Sequence, residues 1–530
     1  MGIAIDLYEN VRIASGIPAK QFFYVAIITV FATVLTLWML GQFLNKPNTS
    51  KKGCTEPPMV PYTLPILGSV IPYGMDPVKF LIDNRKKYGD CFTFLMLGRK
   101  MTFCLGPDGN HFVFNIPLAD ASAEGAYKTL TTPVFGKGVV YDIHSSVFMQ
   151  QKKFVKDAFS ATLFRKYVSA IWEETNAYFK EIKENDDAAL IFDQMSELTI
   201  RTSSHCLMGK EIRSQLHSNV AQLYHDLDSG LAPINVFISW LPLPVYIKRD
   251  RAHKDMSNLF GRIIKDRRAR GDFENMDLLQ TLMDSRYRDG SSMPDDHISH
   301  LMIAALMGGQ HTSSTTVSWI LYEIARRPDV IVELLREQSM VLTGKPDTPI
   351  KDLPEFDYEQ MQQLTYLDCV MKETLRMHPP IHTIMRKVES DIVYNGFTIP
   401  AGNFLCGSAA VSQLDPVRFT DPHKFDPSRF VRNNEDTAEW TINGVDISQK
   451  SARSYFLPFG AGRHRCIGES FAYVQNKTIV SAFIRRYIHK LYVNPKTGVE
   501  VFPKSDYTSL IVVPEKPALL SVSLRKTATV

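Results

Sequence analysis

The chain of 530 residues is 45% hydrophobic, 11% aromatic and 22% charged, an ordinary folded composition that excludes intrinsic disorder and collagen-like or mucin-like fibres. Its 60 Lys and Arg against 56 Asp and Glu leave +4, too small a surplus over this length to argue for nucleic acid as a partner. Seven scattered cysteines with no CxxC pair speak against a disulfide framework or zinc ribbon and favour a reducing compartment.

Phe22 to Leu44 form an uncharged apolar run. As a helix it would be roughly 34 Å long against a hydrocarbon core of ~30 Å, which predicts a single membrane span. Asp6 and Glu9 precede it and no small-x-small cleavage site follows, unlike a signal peptide. Arg12 and Lys20 lie before the run and Lys46, Lys51 and Lys52 after it, a slight excess that favours a cytosolic body. The sequons at Asn48 and Asn476 are then unused. Pro57, Pro58, Pro61 and Pro65 resist helix and sheet and read as a stiff hinge. The expected layout is a lumenal or interfacial segment (1–21), the span (22–44), linker and hinge (45–61) and one large body (62–530). The body reads as mainly α, with short strand-like pieces such as Cys91 to Leu97 and Ser509 to Val513.

Within the body, Tyr127 to Asp142 read as an aromatic-flanked, core-contacting loop with Pro and Gly punctuation. Between Pro294 and Arg327 runs a long helical pattern with Gly308-Gly309-Gln310-His311-Thr312 at its middle. Paired glycines and a run of hydroxyls predict a local distortion there, for which a helix crossing is the plain alternative. Glu373 and Arg376 stand at i, i+3 on one helix face before Pro379-Pro380, by itself compatible with a solvated surface pair. In Phe459-Gly460-Ala461-Gly462-Arg463-His464-Arg465-Cys466-Ile467-Gly468, glycines let the backbone turn sharply while cationic side chains surround one cysteine and favour its thiolate. An inert buried cysteine is the plain alternative. A dinucleotide loop fails because Arg465 stands where its third glycine belongs.

This last run resembles the haem-binding loop of the cytochrome P-450 superfamily, F-x-x-G-x-R-x-C-x-G, with Phe459, Gly462, Cys466 and Gly468 in register and His464 where most members have Arg. The resemblance implies a P-450 fold, mainly α with small β-sheets, in which Cys466 is the axial thiolate of haem iron. It also implies a structural network of Glu373, Arg376 and Arg429, and an oxygen-binding helix in which Thr312 and His311 manage protons. The run Tyr127 to Asp142 resembles that of sterol 14α-demethylases, and His311 with the preceding span points to their fungal branch. Carried over by position, Tyr127, Tyr141, Lys152, Arg386 and His464 are expected at the haem carboxylates. Leu130, Thr131, Phe135, Leu231, Ala304, Gly308, His382, Thr383, Tyr507 and Leu510 are expected around the substrate.

The reaction implied is removal of a sterol 14α-methyl group as formate by three successive oxygenations, within ergosterol biosynthesis. Dioxygen is the co-substrate and electrons come from NADPH through a reductase. Azole inhibitors are expected to bind, and the endoplasmic reticulum membrane is the expected location, with the catalytic domain cytosolic. Leu231 in place of Phe and Ala304 in place of Gly depart from the fungal pattern. They keep two other classes open: a diverged haem-thiolate paralogue acting on another sterol or lipid, and a lapsed, membrane-anchored haem-binding or sterol-binding protein.

Overall fold

A computed structural model describes residues 55–525 apart from 63, 65, 216–217, 232–242, 272–276, 432–440, 443–444 and 447–450, together with scattered residues between Tyr24 and Met39. Those scattered residues are helical and exposed, and Thr29, Thr33 and Thr36 bond back to carbonyls four residues earlier. Among the described residues no helix is long and apolar enough to cross a membrane. The remainder of the expected span, residues 1–21 and 45–54, and the segment after Leu231 lie outside the described residues.

Asp76 caps α1 (Pro77–Tyr88) by accepting from Lys79 N, with Pro77 in the first turn. A hairpin follows, β1 (Cys91–Met96) and β2 (Arg99–Cys104), paired from Met96↔Arg99 to Cys91↔Cys104. Its two turn residues, Leu97 and Gly98, both have positive φ, as a two-residue hairpin requires. Then come α2 (Gly106–Asn115), β3 (Ala121–Ser122), α3 (Ala123–Phe135), α4 (Ser145–Asp157), α5 (Ala161–Glu181), β4 (Asp186–Leu190) and α6 (Ile191–Gln215). Helices α7 (Ser218–Asp228), α8 (Pro244–Arg270), α9 (Asp295–Ala325), α10 (Pro328–Thr343) and α11 (Thr365–Met377) lead to β5 (Ile384–Val388) and β6 (Phe404–Gly407). The chain closes with α12 (Glu469–Arg486), β7 (Tyr487–Val493) and β8 (Leu519–Leu524).

The five-stranded sheet has the order β1-β2-β6-β5-β3; in a four-stranded sheet, β8 lies between β7 and β4. Helix α5 shows why the body is helical. Leu163, Phe164, Tyr167, Val168, Ile171, Trp172, Thr175, Tyr178 and Phe179 recur at three- and four-residue spacing, and all are buried. The main core gathers residues from α3 to α12 around α9, whose length from Ser313 to Ala325 is buried without interruption.

Three local expectations are corrected. The first half of the run Tyr127 to Asp142 is helix, not loop: α3 continues through Pro133, forgoing the bond its missing N–H would give to the carbonyl four residues earlier, while Tyr127, Leu130, Thr131 and Val134 stay packed, and Gly136 ends the helix at φ +104. Helix α9 runs unbroken through Gly308 and Gly309. There Thr312, Ser314 and Thr316 bond back to carbonyls of their own helix, and core contacts on the buried side hold the segment helical. The C-terminal strand pieces are Ser505–Asp506 and Val513–Pro514, with Ser509 to Ile511 in the turn between them. Asn476 lies inside α12 at 1% exposure, which closes that sequon to glycosylation in the folded chain.

Candidate active site

Five of the six described cysteines are buried; Cys466 is exposed. Its loop is held by Cys466 N–H donating to Phe459 O at 2.9 Å and Gly460 N–H to Leu457 O at 3.0 Å. Gly462 has φ +63, and a Cβ there would stand 2.7 Å from the Phe114 carbonyl of α2, so only glycine fits. Lys152 of α4 fastens the loop by donating its ammonium to Arg463 O at 2.6 Å and Arg465 O at 2.7 Å. Cys466 is exposed as a residue, three positions before α12 begins, yet protein atoms crowd its thiol. Burial holds its thiol above the usual range, opposed by the Gly468 N–H and by Lys152 and Arg465. The thiolate is the form that a bound iron would select.

Beside the loop lies a cationic and aromatic cluster. Tyr127 OH accepts from Met385 N at 2.9 Å, and its ring meets that of Tyr141 at 5.1 Å. His464 stacks between Tyr141 (5.8 Å) and Phe148 (5.2 Å). Arg386, buried on β5, donates to Met385 O at 2.8 Å, and Arg463 donates to Ile116 O at 2.6 Å. Burial, with Arg386, Arg463 and Lys152 nearby, pulls His464 down to about 3, so the imidazole is neutral. His464 Nε2, Arg463 Nε and both Glu124 carboxylate oxygens are buried without a hydrogen-bond partner. Two guanidiniums, two phenols and the His464 ring, with His464 Nε2 and Arg463 Nε still unpartnered, suit the paired carboxylates of a haem, and the exposed Cys466 suits its iron. The donor set therefore fits the group.

Support comes from α11. Glu373 and Arg376 are both fully buried, joined by Nε to Oε2 at 2.7 Å and Nη2 to Oε1 at 2.8 Å, and Arg429 Nε reaches Glu373 Oε1 at 3.3 Å. Asp426 N–H donates to the same oxygen at 2.9 Å.

On α9, Ala304, Gly308 and Thr312 recur at one-turn spacing and keep accessible surface, while Leu301 to Ile303, Leu306, Met307 and Ser313 are buried. A Cβ at Gly308 would meet nothing within 4 Å. This stripe faces open space, and Thr312 Oγ1 donates to Gly308 O at 2.8 Å within it. His311 Nε2 lies 3.2 Å from Asp228 Oδ1 at the end of α7.

The expected substrate residues divide into two groups. Leu130, Thr131 and Leu231 are buried, the first in the main core and Thr131 bonded to Tyr127 O at 3.0 Å. Phe135, Ala304, Gly308, His382, Thr383, Tyr507 and Leu510 keep accessible surface. His382 Nδ1 and Thr383 Oγ1 are 2.8 Å apart, and the His382 ring meets Tyr507 edge-on at 5.8 Å. Burial lowers His382 to about 4, so it presents a neutral ring.

Sequence reasoning missed Asp228, Glu124 and Gln413. No local spacing marks them; Asp228 and Gln413 meet partners far along the chain, and Glu124 stands out only because its carboxylate is buried near Arg463.

The family model described as Cytochrome P450 matches residues 57–522. A lanosterol 14-alpha demethylase of Cunninghamella elegans is 43% identical over 512 residues, covering 94% of this chain and 96% of that protein. An eburicol 14-alpha-demethylase of Uncinula necator is 42% identical, covering 88% and 90%. A lanosterol 14-alpha demethylase of Bos taurus is 41% identical, covering 88% of each. Among solved structures, a retinoic acid-bound cyanobacterial CYP120A1 superimposes with TM-score 0.72 at 20% identity, over 89% of this chain and 99% of that one, a likeness of fold.

Proposed function

Because this chain belongs to the cytochrome P450 family, we propose that it is a sterol 14α-demethylase, removing the 14α-methyl group of a lanosterol-type or eburicol-type sterol. The observation that carries the reading is Cys466, the exposed cysteine on a loop fixed by Lys152, together with the open stripe Ala304, Gly308 and Thr312.

Haem, held by Cys466 and by the Tyr127, Tyr141, Arg386, Arg463 and His464 cluster, supplies the oxygen-activating chemistry when bound. The chain's own part is placement and proton supply. Gly308 leaves room beside α9 because it carries no side chain. Thr312 Oγ1, anchored on Gly308 O, presents a hydroxyl that can pass a proton into that space. His311, next to Thr312 in the chain, is the proton carrier in this reading, with the Asp228 carboxylate 3.2 Å from its Nε2 as a charge partner. Phe135, Tyr507 and Leu510 offer apolar surface to a rigid sterol.

Three oxygenations take the methyl through alcohol and aldehyde to formate, each consuming dioxygen and two electrons that NADPH delivers through a reductase. The apolar run Phe22 to Leu44 supports placement at the endoplasmic reticulum membrane with the body cytosolic, where a membrane-dissolved substrate is at hand. Azoles, whose ring nitrogen ligates iron, belong in the same space.

The test is turnover of the full chain with reductase and NADPH on lanosterol and eburicol, read as formate and demethylated sterol beside a reduced carbon monoxide spectrum. Product with the thiolate band is expected. The band without product would assign the chain to another sterol or lipid, and loss of the band would leave a binding protein.

A further inference from the structure

Phe135 ends α3, and the chain leaves it through a turn whose two glycines are sterically required. Gly136 and Gly138 have φ of +104 and +73. A Cβ at Gly136 would stand 2.3 Å from His300 Cγ, and one at Gly138 only 2.1 Å from His297 Nε2. Both rings come from the first two turns of α9 and press directly on the turn's backbone.

The same turn is held by its main chain. His300 Nδ1 lies 2.9 Å from Lys137 O. A carbonyl only accepts, so Nδ1 carries the hydrogen. From α8, the His253 ring is hydrogen-bonded to the Phe135 main chain and lies 5.0 Å, centroid to centroid, from the His300 ring. From α4, Gln151 Nε2 donates to Gly138 O at 3.0 Å. Four residues of chain are thus tied to three helices. The haem loop, the Glu373 network and the Asp228–His311 contact make no use of these histidines.

We infer that His300 and His253 are positioning residues that clasp the turn Phe135 to Gly138 and so fix Phe135 against the sterol space, setting sterol affinity rather than haem attachment. The clasp rests on the sterol reading proposed above. Phe135 is half-buried, packed on one side against the main core, with α3 running directly into the clasped turn, so releasing the turn loosens the end of α3 and with it the ring.

The test uses the full chain with haem bound and compares lanosterol, read by the shift it causes in the haem absorption band, with imidazole, which reaches the iron without needing Phe135. Loss of one neutral hydrogen bond predicts an increase of about fivefold in the lanosterol dissociation constant for His300→Ala. Imidazole affinity and the carbon monoxide band should stay unchanged. His300→Asn restores an N–H near the Nδ1 position and should return lanosterol binding to within about twofold of the parent. His253→Ala should weaken lanosterol in the same selective way. Unchanged lanosterol binding in His300→Ala, or no rescue by Asn, would overturn the clasp. Parallel loss of both ligands with a lower melting temperature would replace it with a merely structural role. A parent protein with a normal imidazole response but none to lanosterol would overturn the sterol reading itself and the clasp's role with it.

Discussion

Gln413 Oε1 accepts the Leu457 N–H at 3.1 Å while the Gln413 carbonyl accepts from Arg376 Nη1 at 3.1 Å, so one buried residue joins the Glu373–Arg376 pair to the root of the cysteine loop. Its amide also donates to Leu375 O and Arg376 O at 3.0 and 3.2 Å. Gln413→Leu keeps the volume but leaves the Leu457 N–H and two carbonyls without that partner. The expected loss is about 2–3 kcal/mol, since each unsatisfied buried group costs ~1–3 kcal/mol. Urea unfolding followed by the carbon monoxide band measures it. An unchanged midpoint would cut Gln413 out of the link.

Arg376→Met should cost more, because it strands a carboxylate. Glu373, fully buried, would keep only Arg429 at 3.3 Å and Asp426 N–H at 2.9 Å. Breaking such a pair from one side costs about 3–5 kcal/mol, and the double change Glu373→Leu with Arg376→Met should recover part of it. Thermal unfolding of Arg376→Met, Glu373→Leu and the double variant decides: a double variant as unstable as the sum of its singles would show the carboxylate was never stranded.

What could be read from sequence was what lies close in sequence. The loop around Cys466 and the pair Glu373 and Arg376 are legible because their roles depend on spacings of a few residues. The bounds of α9 were legible because prolines stand at both ends, at Pro294 and Pro328. Tertiary contacts set the rest. Helix α3 continues through Pro133 because its buried face, with Leu130, Thr131 and Val134, is packed in the body, and α9 absorbs two glycines because surrounding helices hold it. Gln413 and Asp228 look like ordinary polar residues until the chain brings Leu457 and His311 beside them.

Glu337 of α10 gives a pH dependence with a definite sign. Its carboxylate accepts from Tyr366 N and Leu367 N at the start of α11, the helix that carries Glu373, and burial nevertheless pushes it up to about 7. The folded chain then holds this proton more tightly than the unfolded chain, whose carboxyl titrates near 4.5. The stability it contributes is fully present below about pH 4.5 and is lost as pH rises through about 7, an effect on the order of 3 kcal/mol. Glu337→Gln removes the titration and keeps an acceptor oxygen for one of the two N–H groups, which in the parent bond to different carboxylate oxygens, so its stability is lower at every pH and only the slope is compared. Denaturation midpoints between pH 5 and 8 should therefore vary less in the variant, and an equal slope in both proteins would assign the dependence elsewhere.

Asp228 and His311 carry the prediction closest to chemistry. The 3.2 Å between Nε2 and Oδ1 joins α7 to α9 one residue before Thr312, and Asp228 keeps access at 31% exposure while His311 is largely covered at 15%. Asp228 is thus the more exposed of the pair, and Thr312, next to His311 on α9, keeps its hydroxyl bonded to Gly308 O. Asp228→Asn keeps the shape and removes the charge that orients the ring. Direct loss of a general acid costs ~10²–10⁴ in rate, so a residue acting through one should cost about tenfold in product formation. The sterol-induced spectral shift should be unaffected, because Asp228 orients the imidazole without entering the space along the stripe. Product formed per NADPH consumed should fall with the rate, as electrons are spent without a proton arriving on time. Equal loss of sterol binding and turnover would instead make Asp228 a brace between two helices.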